Sequence, residues 1–339
     1  MKVTLNEAAE KLKAAEKILV TAHINPDGDA VGSTLAMLQI LRAMNKKVFA
    51  YIDDKLPKNF ISLLPFVEEI SQPAEGEKIS ADLLVILDTA PDRIGKVSEI
   101  TDAEILNIDH HVTNKSEENF LYVDANAAAT CEIVFQLAKL LGVKISHDIA
   151  LCLYVGMATD TGFFNYSNTK PSTFRAVAEL VECGVKPNLV AEQVEKRTAR
   201  EIKVISLALQ TAKLFYGGKV VGMFVDENLA KKTNSTEGLI DLIRVIDSVD
   251  VAFLLTAKGE KICRVSMRSK TVDVSKIAQK LGGGGHVRAA GCTLEENFED
   301  AKKILIKTIG EFMVETKKLT PAEFEEDKET ALADFEIEN

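Results

Sequence analysis

Three side chains capable of acid–base or metal chemistry fall within seven residues in His23-Ile-Asn-Pro-Asp27-Gly-Asp29. The segment follows the apolar run KILVTA and precedes a helical stretch, so it reads as a loop leaving the carboxyl end of a strand. Pro26 and Gly28 supply the turn. Asp29 alone has an ordinary explanation, because an Asp just before a helix expected from Ala30 commonly caps it. That explanation does not reach His23 or Asp27. The placement recurs: Asp88 closes the apolar run LLVIL, and Asp109-His110-His111 closes another at 105–108. A lone Asp after a strand is usually a turn residue. Three strands ending in Asp or His at one sheet edge are not explained that way. Asp160 ends the apolar helix IALCLYVGMA, where the negative end of the helix dipole disfavours a bare carboxylate and a nearby cation removes the conflict. His147 reads as a helix-start residue beside Asp148 and is set apart.

Collected, these positions offer two or more imidazoles and four carboxylates. Oxygen and nitrogen donors without thiolate suit manganese or a similar divalent ion and disfavour a structural zinc. They are too many for one ion that keeps an open site. A pair of ions about 3.5–4 Å apart, bridged by one carboxylate and a hydroxide, accommodates them. Such a pair clamps the attacking and leaving oxygens of a phosphoryl transfer, so hydrolysis of a phosphate ester is the expected chemistry. The residues alone neither divide the ligands between the ions nor separate His110 from His111.

A second group lies downstream. In ICRVSMRS, read as a strand, Arg264, Ser266 and Arg268 share one face while Cys263, Val265 and Met267 pack inward. Two guanidinium groups and a hydroxyl suit phosphate, although a solvated strand face has the same pattern. Four glycines precede His286, and Gly284 and Gly285 would let backbone amides approach a phosphate closely. A glycine run by itself is often only a flexible loop.

The elements needed to position these groups are legible as α/β. Strands are expected at 18–22, 48–52, 83–87, 105–108 and 120–123, and helices at 30–44, 130–141 and 147–157. Apolar residues on consecutive positions at 18–20 and 83–87 imply a parallel sheet with helices on both faces. Residues 171–215 read as wholly helical, broken at Gly184 and Pro187. A smaller C-terminal α/β domain follows, with strands at 220–225, 251–257 and 261–268, a helix near 237–245, then the glycine run and another strand. The expected organisation is a catalytic metal-binding domain at 1–185, a helical connector at 186–215, a substrate-binding domain at 216–318 and an acidic tail at 319–339. The tail reads as a mobile segment or a late-docking helix end, with solubility as its simplest role.

With 339 residues, 46% hydrophobic and 27% charged, the chain suits two soluble domains. It has no run of roughly 18 apolar residues, and its first residues lack the apolar core of a secretory signal. Five scattered cysteines, Cys131, Cys152, Cys183, Cys263 and Cys292, read as thiols in a reducing compartment. A cytoplasmic protein with no membrane partner is expected. The net charge of −10 is concentrated in the last 19 residues, which hold eight acidic residues against one lysine. No basic surface remains to track a long nucleic acid, while a short phosphorylated ligand is allowed.

The segments HINPDGDAVGS, LDTA, IDHHVTN and GMATDTGFF, in that order, followed by LGGGGHVRAAG at 281–291, resemble the DHH phosphoesterase superfamily with its DHH-associated C-terminal domain. The resemblance runs from residue 1 to about 318 and is greatest to the bifunctional oligoribonuclease and pAp phosphatase (nanoRNase) group. It implies that His23, Asp27 and Asp88 hold one Mn2+ and that Asp29, Asp88, His110 and Asp160 hold another, with Mg2+ or Co2+ as substitutes. Asp109 would orient a ligating imidazole, and His111 would face the substrate phosphate. Arg264 and His286 would grip a neighbouring phosphate or base across an interdomain cleft. The implied substrates are short RNA oligonucleotides, cut to mononucleotides, and pAp, which loses its 3′-phosphate.

The nearest alternative is a phosphodiesterase for cyclic di-AMP or the linear dinucleotide pApA. LGGGGH disfavours a family II pyrophosphatase, and length and charge disfavour the single-strand exonucleases. A catalytically silent nucleotide-binding regulator is disfavoured because every expected ligand is present. A homodimer is compatible with the sequence.

Overall fold

The apolar positions 18–20 and 83–87 lie in two strands that, in the computed structural model, are buried on both faces. The structure describes residues 1–117, 120–232, 236, 238–325 and the backbone of 330–331. Two compact units divide between Lys196 and Arg197.

The first unit runs α1 (Leu5–Ala14), β1 (Lys17–Thr21), α2 (Gly28–Ala43), β2 (Lys47–Tyr51), α3 (Lys58–Ile61), β3 (Ile70–Ser71), β4 (Leu83–Leu87), α4 (Val97–Ile100), β5 (Glu104–Asp109), β6 (Phe120–Val123), α5 (Thr130–Leu140), α6 (His147–Asp160), α7 (Pro171–Glu182) and α8 (Pro187–Val194). Its strands form one parallel sheet in the order β3-β2-β1-β4-β5-β6. Ile18 pairs with Leu83, and Leu83 with Glu104. Alternate side chains divide between the faces. Ile18, Val20, Leu83, Val85 and Leu87 join Leu12, Leu38, Leu137 and Leu153 of α1, α2, α5 and α6. Leu19, Leu84 and Ile86 join Val97 and Ile100 of α4. Strand order reverses between β1 and β4, and a crevice opens beyond the carboxyl ends at such a switch point.

Two helices differ from expectation where it matters for the site. Helix α2 begins at Gly28, and its N-cap is Asp27 rather than Asp29. Asp27 Oδ1 accepts from the amides of Asp29 and Ala30, both at 3.0 Å. Helix α6 continues past 157 to include Asp160. The α2 and α6 backbones approach closely: a Cβ on Gly32 would lie 2.5 Å from the Cys152 carbonyl oxygen.

The second unit runs α9 (Ala199–Leu209), β7 (Lys213–Phe215), β8 (Val220–Val225), α10 (Glu227–Ala230), α11 (Leu239–Ile243), β9 (Val251–Gly259), β10 (Ile262–Ser269), α12 (Val274–Lys280), β11 (Gly284–His286), β12 (Ala289–Leu294), α13 (Phe298–Glu315), α14 (Pro321–Glu325) and β13 (Thr330–Ala331). The sheet order is β11-β12-β10-β9-β8-β7-β13. Strands β8 and β9 pair in parallel, and the other neighbours are antiparallel. Phe253, Val265 and Met267 face α12 and α13, and Met223 and Leu254 face α9 and α11.

The helical connector expected at 186–215 is instead divided. Helix α8 belongs to the first unit, α9 and β7 to the second. Residues 213–215 are a strand because Leu214 and Phe215 enter opposite cores and Gly217 and Gly218, at φ 63° and 85°, turn the chain into β8. The glycine run is not a loop either: Gly284–His286 pairs with β12. A Cβ at Gly285 would lie 2.6 Å from the Ala289 carbonyl oxygen, so strand contact demands glycine there. The start of the helix expected near 237 lies outside the described residues. The tail begins docked, with Leu319 buried and Phe324 stacked on Tyr216 at 5.7 Å; the rest of the acidic segment lies outside the described residues, apart from the β13 backbone. Among the described residues no helix is long and apolar enough to cross a membrane.

Candidate metal centre and active site

His23 follows β1 and is buried. Its Nδ1 lies 2.9 Å from the Ile24 carbonyl oxygen, which only accepts, so Nδ1 carries the proton. The other nitrogen, Nε2, faces Asp27 Oδ2 at 3.8 Å and Asp88 Oδ2 at 3.5 Å. Asp27 therefore caps α2 with one oxygen and turns the other toward the cluster. Capping and metal binding do not compete at this residue.

Asp88 leaves β4 with φ 63°, in the left-handed region that Asp tolerates better than most residues. Its amide donates to the Ile108 carbonyl at 3.1 Å. The side chain stands between two imidazoles, with Oδ1 3.4 Å from His110 Nε2 and Oδ2 on the His23 side. His110 Nε2 also lies 3.5 Å from Asp160 Oδ2. The donor atoms of His23, Asp27 and Asp88 converge within 4.8 Å of one another, as do those of Asp29, His110 and Asp160. Asp29 reaches the site from the first turn of α2. Its two oxygens accept from the first two amides of α5, Thr130 at 2.6 Å and Cys131 at 2.9 Å.

The electrostatics of the cluster favours a bound positive charge. Burial, then the charges of Asp88 and Asp160, pushes Asp29 well above the usual carboxylate range. Burial also raises Asp160, to about 7, with His110 opposing and Asp88 and Asp27 adding to it. Burial works against ionised Asp88 too, but hydrogen bonds from His110 and His23 outweigh it and hold Asp88 well below the usual range. His23 rises to about 9: burial opposes its charge, and Asp88 and Asp27 overcome that. Carboxylates crowded in a dry site are stabilised by protons or by cations. Divalent ions fit this oxygen and nitrogen donor set. The neighbouring thiol of Cys131 is kept protonated by burial and by Asp29, and is no thiolate donor.

The family resemblance implies that Asp109 orients a ligating imidazole, and the structure sets its carboxylate beside the His111 ring. Asp109 Oδ1 lies 2.7 Å from Nδ1 of His111 and accepts from the His110 backbone amide, also at 2.7 Å. The turn after β5 sends the His110 ring toward Asp88 and Asp160 and folds the His111 ring back over Asp109. Burial pushes Asp109 up, yet the His111 contacts bring it below the ordinary range.

Sequence reasoning missed Thr130 and Asn114. Thr130 Oγ1 donates to Asp88 Oδ1 at 3.0 Å while its amide holds Asp29. Asn114 Nδ2 donates to Asp109 Oδ2 at 2.7 Å. One signal pointed to Thr130: α5 starts after Ala127-Ala128-Ala129 with no capping side chain of its own.

In the second unit, Arg264, Ser266 and Arg268 share one face of β10, and Cys263, Val265 and Met267 are buried on the other. Cross-strand register sets His286, Ala289 and Arg268 in one row and Gly284, Gly291 and Ser266 in the next. Glycine and alanine thus floor a strip between His286 and the β10 side chains. Arg268 Nη1 donates to its neighbour's carbonyl at 3.1 Å, while its buried Nε has no partner among the described residues. An anion would satisfy it.

The profile of the DHH family, N-terminal domain, matches residues 17–157, and that of the DHHA1 domain matches 217–315. The chain is 36% identical to the bifunctional oligoribonuclease and PAP phosphatase NrnA of Thermus thermophilus, across 85% of this chain and 87% of that one. It is 26% identical to the protein of the same name from Bacillus subtilis, across 88% and 96%. An exopolyphosphatase-related protein from Bacteroides fragilis shares the fold, with a TM-score of 0.83 at 23% identity over 92% of this chain and 97% of the other.

Proposed function

The chain belongs to the DHH family and is a metal-dependent phosphoesterase, and we propose that it hydrolyses short oligoribonucleotides to mononucleotides and removes the 3′-phosphate from pAp. The observation that carries this reading is Asp88, buried with one carboxylate oxygen toward each of two imidazoles. The chain's likeness to two oligoribonuclease and PAP phosphatase proteins supports the substrate class.

His23, Asp27 and Asp88 would hold one divalent ion and Asp29, Asp88, His110 and Asp160 the second, with Mn2+ as the resident metal. Bound there, the ions neutralise phosphoryl charge and lower the pKa of water. Asp88 and Asp29 are held in place by Thr130 and the first amides of α5. His111, fixed by Asp109, contacts the reacting phosphate and exchanges a proton with the departing oxygen. Arg264, Ser266, Arg268, Gly284, Gly285 and His286 bind a flanking phosphate or base. Five free thiols, four of them buried, support a reducing, cytoplasmic location.

The test is a panel of pAp, pApA, cyclic di-AMP and RNAs of two to five nucleotides, assayed with manganese and with magnesium. Phosphate from pAp and mononucleotides from the RNAs are expected with manganese. Preferred turnover of cyclic di-AMP would favour the alternative. Asp88→Ala is expected to abolish hydrolysis with the circular dichroism spectrum unchanged, and near-normal turnover rejects the metal assignment.

A further inference from the structure

Two asparagines beside the site are buried: Asn107 is 0% and Asn114 8% exposed. Asn107 Nδ2 lies 3.2 Å from the Ile86 carbonyl oxygen and 2.7 Å from that of Thr89. Carbonyls only accept, so these main-chain groups decide which end of the Asn107 amide faces them. Its Oδ1 is thereby turned to accept from Asn114 Nδ2, at 2.8 Å. Asn114 Nδ2 also donates to Asp109 Oδ2 at 2.7 Å and lies 3.2 Å from the Thr89 carbonyl. Its Oδ1 accepts from the Ser116 amide at 3.2 Å, which fixes the second amide as well. Asp109 Oδ1 then accepts from His111 Nδ1 at 2.7 Å. Each link has one polarity, and the carbonyls that set it flank Asp88.

We propose that Asn107 and Asn114 are positioning residues that hold Asp109 as an acceptor and so fix the tautomer and ring orientation of His111. With Nδ1 carrying a proton toward Asp109, Nε2 becomes the ring position that exchanges a proton with a substrate oxygen. The catalytic consequence rests on the phosphoesterase reading, and the tautomer itself does not. A purely structural role, tying the loop after β5 to the end of β4, would cost stability but leave the tautomer unchanged.

The experiment compares wild type with Asn114→Ala in the magnesium-loaded protein, with histidine rings labelled by 15N, and adds kinetics with pAp. Wild-type His111 is expected as the Nδ1–H tautomer, and Asn114→Ala is expected to let the Nε2–H form appear. The kcat should fall roughly ten- to a hundredfold, with KM and manganese affinity within about twofold. In a His111→Gln background, Asn114→Ala should cost nothing further. An unchanged tautomer ratio, or the same loss in both backgrounds, overturns the proposal. If Asn114→Ala fails to fold, Asn114→Leu, which keeps the bulk and removes the donor, is scored by the same two readouts. If wild type turns over neither pAp nor RNA, the functional reading fails while the ring spectra still decide the positioning role.

Discussion

Gly156 of α6 packs against the Asp29 carboxylate of α2 with no space for a methyl group between them. A Cβ at 156 would stand 2.7 Å from Asp29 Oδ1 and 2.2 Å from Cys131 Sγ. Glycine inside a helix ordinarily costs about 1 kcal/mol relative to alanine, but at this contact overpacking, about 1–3 kcal/mol, wins. Gly156→Ala is therefore expected to lower the melting temperature of the first unit, by roughly 2–8 °C, and to weaken manganese binding by displacing Asp29. Calorimetry and metal titration check both. An unchanged or raised melting temperature would show that α6 can step back without penalty.

Thr130→Val removes one hydroxyl and keeps the shape. Asp88 Oδ1 loses its 3.0 Å donor, while the amide of residue 130 still holds Asp29. A hydrogen bond to a charged group is worth about 1.5–3 kcal/mol, so manganese affinity should fall roughly ten- to a hundredfold. Competition titration against a chelator measures this. A loss below about twofold would make Thr130 only a helix-start residue.

Metal binding should strengthen as pH rises from about 6 to 9. Asp160, raised from its ordinary 3.8 to about 7, and His23, raised from 6.5 to about 9, hold protons that a metal must displace. In the metal-free protein both groups contribute stability at low pH. The Asp160 part is complete below 3.8 and lost as pH rises through about 7, and the His23 part is complete below 6.5 and lost through about 9. The thermal shift produced by manganese should thus be larger at pH 8.5 than at pH 6. Equal shifts would contradict the raised values of Asp160 and His23.

Arg264→Ala tests the division of labour between the units. Arg264 lies on the more exposed face of β10, so its loss should leave the fold intact. Losing one charge-assisted contact should raise KM for pAp roughly tenfold or more and leave manganese affinity unchanged. Weaker metal binding in this variant would place Arg264 in the metal site instead.

The chain order of ligand types is legible in the sequence itself. Consecutive apolar residues can be buried on both faces only in a covered parallel sheet, and acidic or imidazole residues at the ends of such strands must share one edge. That reasoning reaches His23, Asp27, Asp29, Asp88, Asp109, His110, His111 and Asp160, because each sits at an element end set by local pattern. It could not reach Thr130, whose bonds to Asp29 and Asp88 span 101 and 42 residues. Nor could it assign Asp109 to His111, since both rings follow the same carboxylate and only the turn after β5 separates them. Strand β7 was hidden by its length of three residues, and β11 by glycines whose pairing with β12 carries no local signature. Spacing along a chain determines which groups lie near one end of a sheet. Which oxygen meets which nitrogen depends on rotamers and close helix approach, and these exist only once the core has packed.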